Sequence, residues 1–198
     1  MFNFSNTFFD QPRRVWLLIA LVCVGLLSFG MYLQHVVGLV PCPMCIVQRY
    51  VMVLMGLVAL LGSVLSGRKA ALTVGAVLVL LAVGGAYVAA RQTWLQWYPP
   101  EVVSCGRDFY GMIETFPLQR AIPMIFKGGG DCTKVDWTFL GGSIANWSFM
   151  AFVGLGLLAL ATVVRVLQKP VSDDQDFDDE QAAETAPEAK KDDRFLGA

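Results

Sequence analysis

The chain reads as an all-α membrane protein: a bundle of four transmembrane helices with one long outer loop that carries a short interfacial helix. Three observations predict this. Hydrophobic residues make up 56% of the 198 positions. Four runs, about Val15–Leu33, Tyr50–Gly67, Ala70–Ala90 and Ile144–Val164, contain no charged side chain. Each reaches or approaches the roughly 18 residues needed to cross hydrocarbon as a helix. A buried strand would need turns that these runs lack, whereas a helix satisfies its own backbone hydrogen bonds in lipid. The third observation is where the cations fall. Arg13 and Arg14 precede the first run, Arg68 and Lys69 link the second to the third, and Arg165 and Lys169 follow the fourth. With an even number of spans all three positions lie on one side, which the positive-inside tendency assigns to the cytoplasm.

The loops 34–49 and 91–143 then face outward. They hold Cys42, Cys45, Cys105 and Cys132, four of the five cysteines. Disulfides persist in oxidising compartments outside the cytoplasm, so cysteine placement and charge placement agree. The organisation expected is a cytoplasmic segment 1–14, a membrane domain 15–168 and a tail 169–198. Only sixteen acidic and fifteen basic residues are present. No basic aromatic groove or other nucleic-acid signature appears.

In the leading segment Phe2, Phe4, Phe8 and Phe9 can rest at the headgroups. The first run is long and lacks a small-residue cleavage pattern after it, so it reads as a retained anchor and not a removed signal. Cys23, inside that run, reads as a small hydrophobe. Gly25 and Gly30 do not form a small-xxx-small pattern. His35 is the only histidine. It reads equally as a proton carrier and as a polar interfacial residue. A metal site is disfavoured, because no second histidine exists and the cysteines lack four-ligand spacing.

Pro41-Cys42-Pro43-Met44-Cys45 lies between the first two runs, with Arg49 four residues beyond its second cysteine. A two-residue separation alone suits a structural disulfide, half a metal site or a redox pair. Here Pro43 is placed to start the second helix, whose free N–H groups and positive dipole end would stabilise a nearby thiolate. Cys45 and Arg49 then share one helical face. Such a pair suits a lipid-soluble quinone: the thiolate donates electrons, while the guanidinium holds a quinone oxygen and the charge developing on it. The bland alternative for Arg49 is snorkelling to anionic headgroups.

Spans two and three are joined by a short link and should be antiparallel neighbours. Gly56, Gly62, Gly75, Gly84 and Gly85 suggest close helix packing. Tyr87, Trp94, Trp97 and Tyr98 fall where an interfacial aromatic belt should lie, and they could also border a quinone pocket. In the long loop, the apolar tract Phe109–Phe126 reads as a segment lying on the membrane surface, with Pro117 and Pro123 limiting any helix there. Four outer cysteines allow three connectivities. The preferred chemistry is a relay in which a reduced outside protein attacks Cys105–Cys132, the loop thiols reduce Cys42–Cys45, and two electrons pass to quinone. A simple staple by Cys105–Cys132 is the alternative. Residues 171–198 carry ten acidic and three basic side chains, which reads as a disordered tail that disulfide transfer does not need.

Gln34-His35-Val36, Pro41-Cys42-Pro43-Met44-Cys45-Ile46-Val47-Gln48-Arg49, Leu95-Gln96-Trp97-Tyr98-Pro99, Cys105, Gly130-Asp131-Cys132 and Trp137-Thr138-Phe139-Leu140-Gly141 together closely resemble the bacterial disulfide-bond formation protein B (DsbB) family. The resemblance covers roughly residues 13–168 and leaves the acidic tail outside it. It implies a multi-pass enzyme of the bacterial inner membrane, a quinone-dependent protein-disulfide oxidoreductase that reoxidises the periplasmic thiol oxidase DsbA and so serves periplasmic protein folding. Ubiquinone is the implied cofactor, with menaquinone possible in its place. By residue match Cys105 forms the mixed disulfide with DsbA, Cys132 is its loop partner, and Cys42 and Cys45 are the membrane-proximal pair. Cys45 is then nearest the quinone, with Arg49 assisting it. One departure is Gln92, where some relatives carry histidine, so a histidine contribution to quinone binding does not carry over. Vitamin K epoxide reductase-like proteins share the broad plan, but the local motifs here are closer to DsbB. A related oxidoreductase serving another periplasmic partner and a non-enzymatic scaffold with two structural disulfides remain the alternatives.

Overall fold

The computed structural model describes residues 11–99, 130–133, 135 and 137–168. Its helices are α1 (Pro12–His35), α2 (Pro43–Val64), α3 (Arg68–Trp97), the single turn α4 (Gly130–Thr133) and α5 (Ile144–Gln168). A two-stranded antiparallel hairpin, β1 (Thr138–Phe139) and β2 (Gly142–Ser143), precedes α5. Helices α1, α2, α3 and α5 are each long and apolar enough to cross a membrane. They form the expected four-helix bundle. Cys105, the tract 109–126 and the acidic tail lie outside the described residues.

Helix bounds differ from the apolar runs in a consistent way. α2 begins at Pro43, seven residues before Tyr50, and α3 starts at Arg68 and runs on to Trp97. At 1.5 Å per residue a 30-residue helix is about 45 Å long, beyond the roughly 30 Å of hydrocarbon. Helical hydrogen bonding does not stop where apolar composition does. The polar turns so added, with Gln48, Arg49, Gln92 and Gln96, project from helix and not from loop.

α3 packs most extensively on α5 and α1 on α2, with α2 and α3 joining the two pairs. Trp16, Ile19, Cys23, Met55, Leu78 and Phe152 are fully buried between them. Cys23 is thus a core residue. At the opposite end from the paired cysteines, the Arg13 Nε–H donates to the Ser63 carbonyl at 2.9 Å and the Arg68 guanidinium to the Leu167 carbonyl at 3.2 Å. The helix-end carbonyls of α2 and α5 therefore gain cationic donors.

Gly85 faces the Phe152 ring so closely that any Cβ there would overlap it. The ring is fully buried and has no room to retreat. Its neighbour Gly84 has open space on that side, so of the glycines suggested by sequence it is the one without a packing reason. Gly85→Ala is expected to destabilise the bundle by about 1–3 kcal/mol through overpacking. Gly84→Ala should leave stability unchanged. Thermal unfolding of the two purified variants checks the contrast, and equal melting temperatures would refute the packing role.

Candidate functional site

Three sulfurs meet where α1 leads into α2. Cys42 is the N-cap of α2, extended at φ −70° and ψ 161°, with Pro43 in the first turn where its missing N–H has no intrahelical use. The Cys45 backbone N–H donates to Cys42 Sγ at 3.4 Å, and the Cys42 thiol donates to Cys45 Sγ at 3.0 Å. Cys132, on α4, is only 1% exposed and packs with Cys42, Met44, Val88 and Leu95. It also hydrogen-bonds Cys42. Cys42 and Cys45 are not joined to each other and are thiols here. Hydrogen bonding to Cys132 and to Cys45, together with burial, holds the Cys42 thiol well above the usual thiol range. In the reduced pair Cys42 therefore keeps its proton.

Gln92 on α3 closes over this pair. Its Nε2 donates to Cys45 Sγ at 3.2 Å and to Cys42 Sγ at 3.3 Å. Its Oε1 accepts from Gln48 Nε2 at 2.7 Å. Gln92 is 3% and Gln48 5% exposed, so each amide depends on protein partners and not on water.

Arg49 lies one turn beyond Cys45 on α2. Its Nη1 donates to Gln34 Oε1 and its Nη2 to the Gly30 carbonyl at 3.0 Å. Both acceptors belong to α1, so the guanidinium is held between two helices and does not extend freely to the surface. That tether argues against simple snorkelling. It fixes the cation on the wall of a cavity of about 650 Å³ that also exposes Cys42, Cys45, Gln92 and Gln96. The remaining walls are mostly apolar, from Leu26 and Leu33 on α1, Met52 on α2 and Ala151 on α5. The size lies within the range of about 300–1,000 Å³ typical of small-molecule sites, and a few polar groups in apolar walls is their usual composition.

The hairpin shapes one side of the cavity. Its two-residue turn, Leu140-Gly141, has positive φ at both positions, 49° and 79°, which matches the twist of a type I′ hairpin. This places Phe139 6.0 Å from both Trp137 and Trp147, whose Nε1–H donates to the Phe139 carbonyl at 3.0 Å. All three rings line the cavity. Ser143 Oγ accepts from the Asn146 N–H at 3.4 Å at the start of α5 and donates to Gln96 Oε1 at 2.6 Å, tying α5 to α3.

Of the residues singled out by sequence, Cys42, Cys45, Arg49 and Cys132 come together at this end of the bundle, and Cys105 lies outside the described residues. His35 ends α1 and is not among the cavity residues. Gln34 and Gln48 were not read as site residues, and Gln92 was noticed only as a departure. Polar side chains within membrane-spanning helices are the signal that could have found them. Trp97 and Tyr98 are exposed and do not line the cavity, so of their two readings the structure favours interfacial anchoring.

The profile of the family described as "Disulfide bond formation protein DsbB" matches residues 12–162. Similar chains include "Disulfide bond formation protein B" of Polaromonas naphthalenivorans (strain CJ2), 68% identical over 160 residues, covering 81% of this chain and 96% of that one. The protein of the same name from Albidiferax ferrireducens is 66% identical over 164 residues, covering 82% and 94% of the two chains. That from Aromatoleum aromaticum is 50% identical over 161 residues, covering 81% and 97%.

Proposed function

From the premise that this chain belongs to the DsbB family, a family of quinone-dependent disulfide oxidoreductases, we propose that it reoxidises the periplasmic thiol oxidase DsbA and delivers the electrons to the membrane quinone pool, with ubiquinone as acceptor and menaquinone as its substitute. The termini face the cytoplasm, and the loops 34–49 and 91–143, with both cysteine pairs, face the periplasm. The observation that carries the reading is the order of the sulfurs. Cys132 contacts Cys42, Cys42 contacts Cys45, and Cys45 opens on the cavity that holds Arg49.

The steps follow from that order. A DsbA thiolate attacks Cys105 of the Cys105–Cys132 disulfide, forming a mixed disulfide and freeing Cys132 as a thiolate. Cys132 then attacks Cys42, the sulfur it touches, and Cys45 leaves from the Cys42–Cys45 bond. The charge arrives on Cys45, where the Gln92 amide and the nearby Arg49 guanidinium oppose its cost in an apolar site. When bound, a quinone supplies the two-electron sink that thiols lack. Arg49, Gln34 and Gln96 are the polar groups that would hold its oxygens, and the apolar walls would take its ring. The second thiol of DsbA resolves the mixed disulfide, so oxidised DsbA departs and Cys105 is left as a thiolate. Cys105 attacks Cys132 of the Cys132–Cys42 bond, which restores Cys105–Cys132 and frees Cys42. Cys42 and Cys45, then both reduced, would rejoin as a disulfide on giving two electrons to a bound quinone.

The test is quinone reduction by the detergent-purified full chain with reduced DsbA. Two electrons should reach quinone per DsbA oxidised, and Cys105→Ser should stop it. Wild-type protein that oxidises another periplasmic dithiol but not DsbA would refute the partner, and protein that moves no electrons from any dithiol would refute the enzyme.

A further inference from the structure

We propose that Gln92 is a catalytic residue of the Cys42–Cys45 pair and Gln48 its positioning residue, the buried amide of Gln92 favouring the reduced pair by donating to both sulfurs. The inference rests on the reading of Cys42–Cys45 as the pair that feeds the cavity. It deepens that reading by assigning a group that tunes how readily the pair accepts electrons.

The geometry is specific. One Nε2 lies 3.2 Å from Cys45 Sγ and 3.3 Å from Cys42 Sγ. An amide can present either its oxygen or its nitrogen to a neighbour, and the oxygen would repel a thiolate. Gln48 decides between them, because its own N–H donates to Gln92 Oε1 at 2.7 Å and so leaves the NH₂ end toward sulfur. Both amides are buried, so water does not substitute for either bond.

A thiolate accepts strongly and a disulfide sulfur weakly. A fixed donor at both sulfurs therefore stabilises the reduced pair more than the oxidised one and makes the disulfide a better oxidant. That bias assists the handover from Cys132, which requires Cys42–Cys45 to accept two electrons. Being neutral, the amide gives this bias without adding a second cation beside Arg49.

The test is the thiol–disulfide equilibrium of Cys42–Cys45 in the full-length purified protein against a large excess of a reduced and oxidised dithiothreitol couple, at fixed pH without oxygen. Dithiothreitol gives two electrons, its ring disulfide forms and the Cys42–Cys45 bond breaks. Of the two protons released by the dithiothreitol thiols, one goes to Cys42 and the other to Cys45 or to solvent. Acid quenching, alkylation and mass measurement of the peptide holding both cysteines give the ratio. Gln92→Leu should shift the equilibrium about tenfold toward the disulfide, equivalent to about 30 mV. Gln48→Met, which retains Gln92 but removes the donor that orients its amide, should shift it in the same direction by about two- to threefold. The double variant should be no further displaced than Gln92→Leu alone, since Gln48 acts only through Gln92.

An unchanged ratio in Gln92→Leu, or a shift toward the dithiol, overturns the proposal. Additive shifts in the double variant overturn the positioning role of Gln48. The equilibrium requires no quinone. A predicted shift in a chain whose wild type reduces no quinone would thus support the Gln92 assignment while refuting the proposed acceptor.

Discussion

Cys45→Ser protein is expected to lose quinone-coupled oxidation of reduced DsbA by on the order of a thousandfold or more, as when one member of a catalytic unit is removed. The serine oxygen forms no disulfide with Cys42. With no Cys42–Cys45 bond to attack, Cys132 has no disulfide to which it can pass electrons. The bundle should be undisturbed, because Cys45 is partly exposed to the cavity and its backbone N–H, the donor to Cys42, remains. Loss of quinone absorbance during turnover measures the effect. A mixed disulfide between DsbA and Cys105 should still form, which separates loss of the inner pair from loss of folding. Residual turnover within tenfold of wild type would mean that electrons reach quinone by another sulfur.

The second large effect is expected at Arg49. Its guanidinium joins α2 to α1 through Gln34 and Gly30 and stands on the cavity wall beside Cys45. Arg49→Ala removes the only charged side chain among the described cavity residues. Removing a preorganised donor to developing negative charge costs on the order of 10²–10³ in kcat. The same change should raise the KM for quinone, while exchange at Cys105–Cys132 continues. Arg49→Lys keeps the charge but not the planar fork that reaches two acceptors on α1, so it should fall between wild type and alanine. Steady-state kinetics with varied quinone check both. Unchanged KM and kcat in Arg49→Ala would return Arg49 to the interfacial role that its position at a helix end also allows.

Much of this was legible in the chain. Four uncharged apolar runs specify four helices because lipid leaves the backbone no other partners, and Pro43 after Cys42 marks the start of α2 as it does in the structure. The i,i+4 spacing of Cys45 and Arg49 is likewise a property of the helix alone. Helix ends were less legible, since α3 continues through Arg91 and Gln92 into the interface, where apolar composition has already ceased. The amide pair was not legible. Gln48 and Gln92 are separated by 44 positions, and only the relative rotation of α2 and α3, set by packing along their whole length, brings them together. The contact of Cys132 with Cys42 depends in the same way on where α4 docks. The hairpin was missed because its strands are two residues each and its turn uses Leu140 at positive φ, where asparagine is the usual signal.

The central claim is that electrons enter the inner pair at Cys42 and leave from Cys45, and the most direct measurement is disulfide trapping between single sulfurs. Cys45→Ser/Cys105→Ser protein retains Cys42 opposite Cys132, and Cys42→Ser/Cys105→Ser retains Cys45 opposite Cys132. Under the same mild oxidation the first should form its intramolecular disulfide rapidly and nearly completely, as read by non-reducing peptide mass, and the second only slowly. Equal rates, or faster closure of Cys45 with Cys132, would contradict the order of the relay.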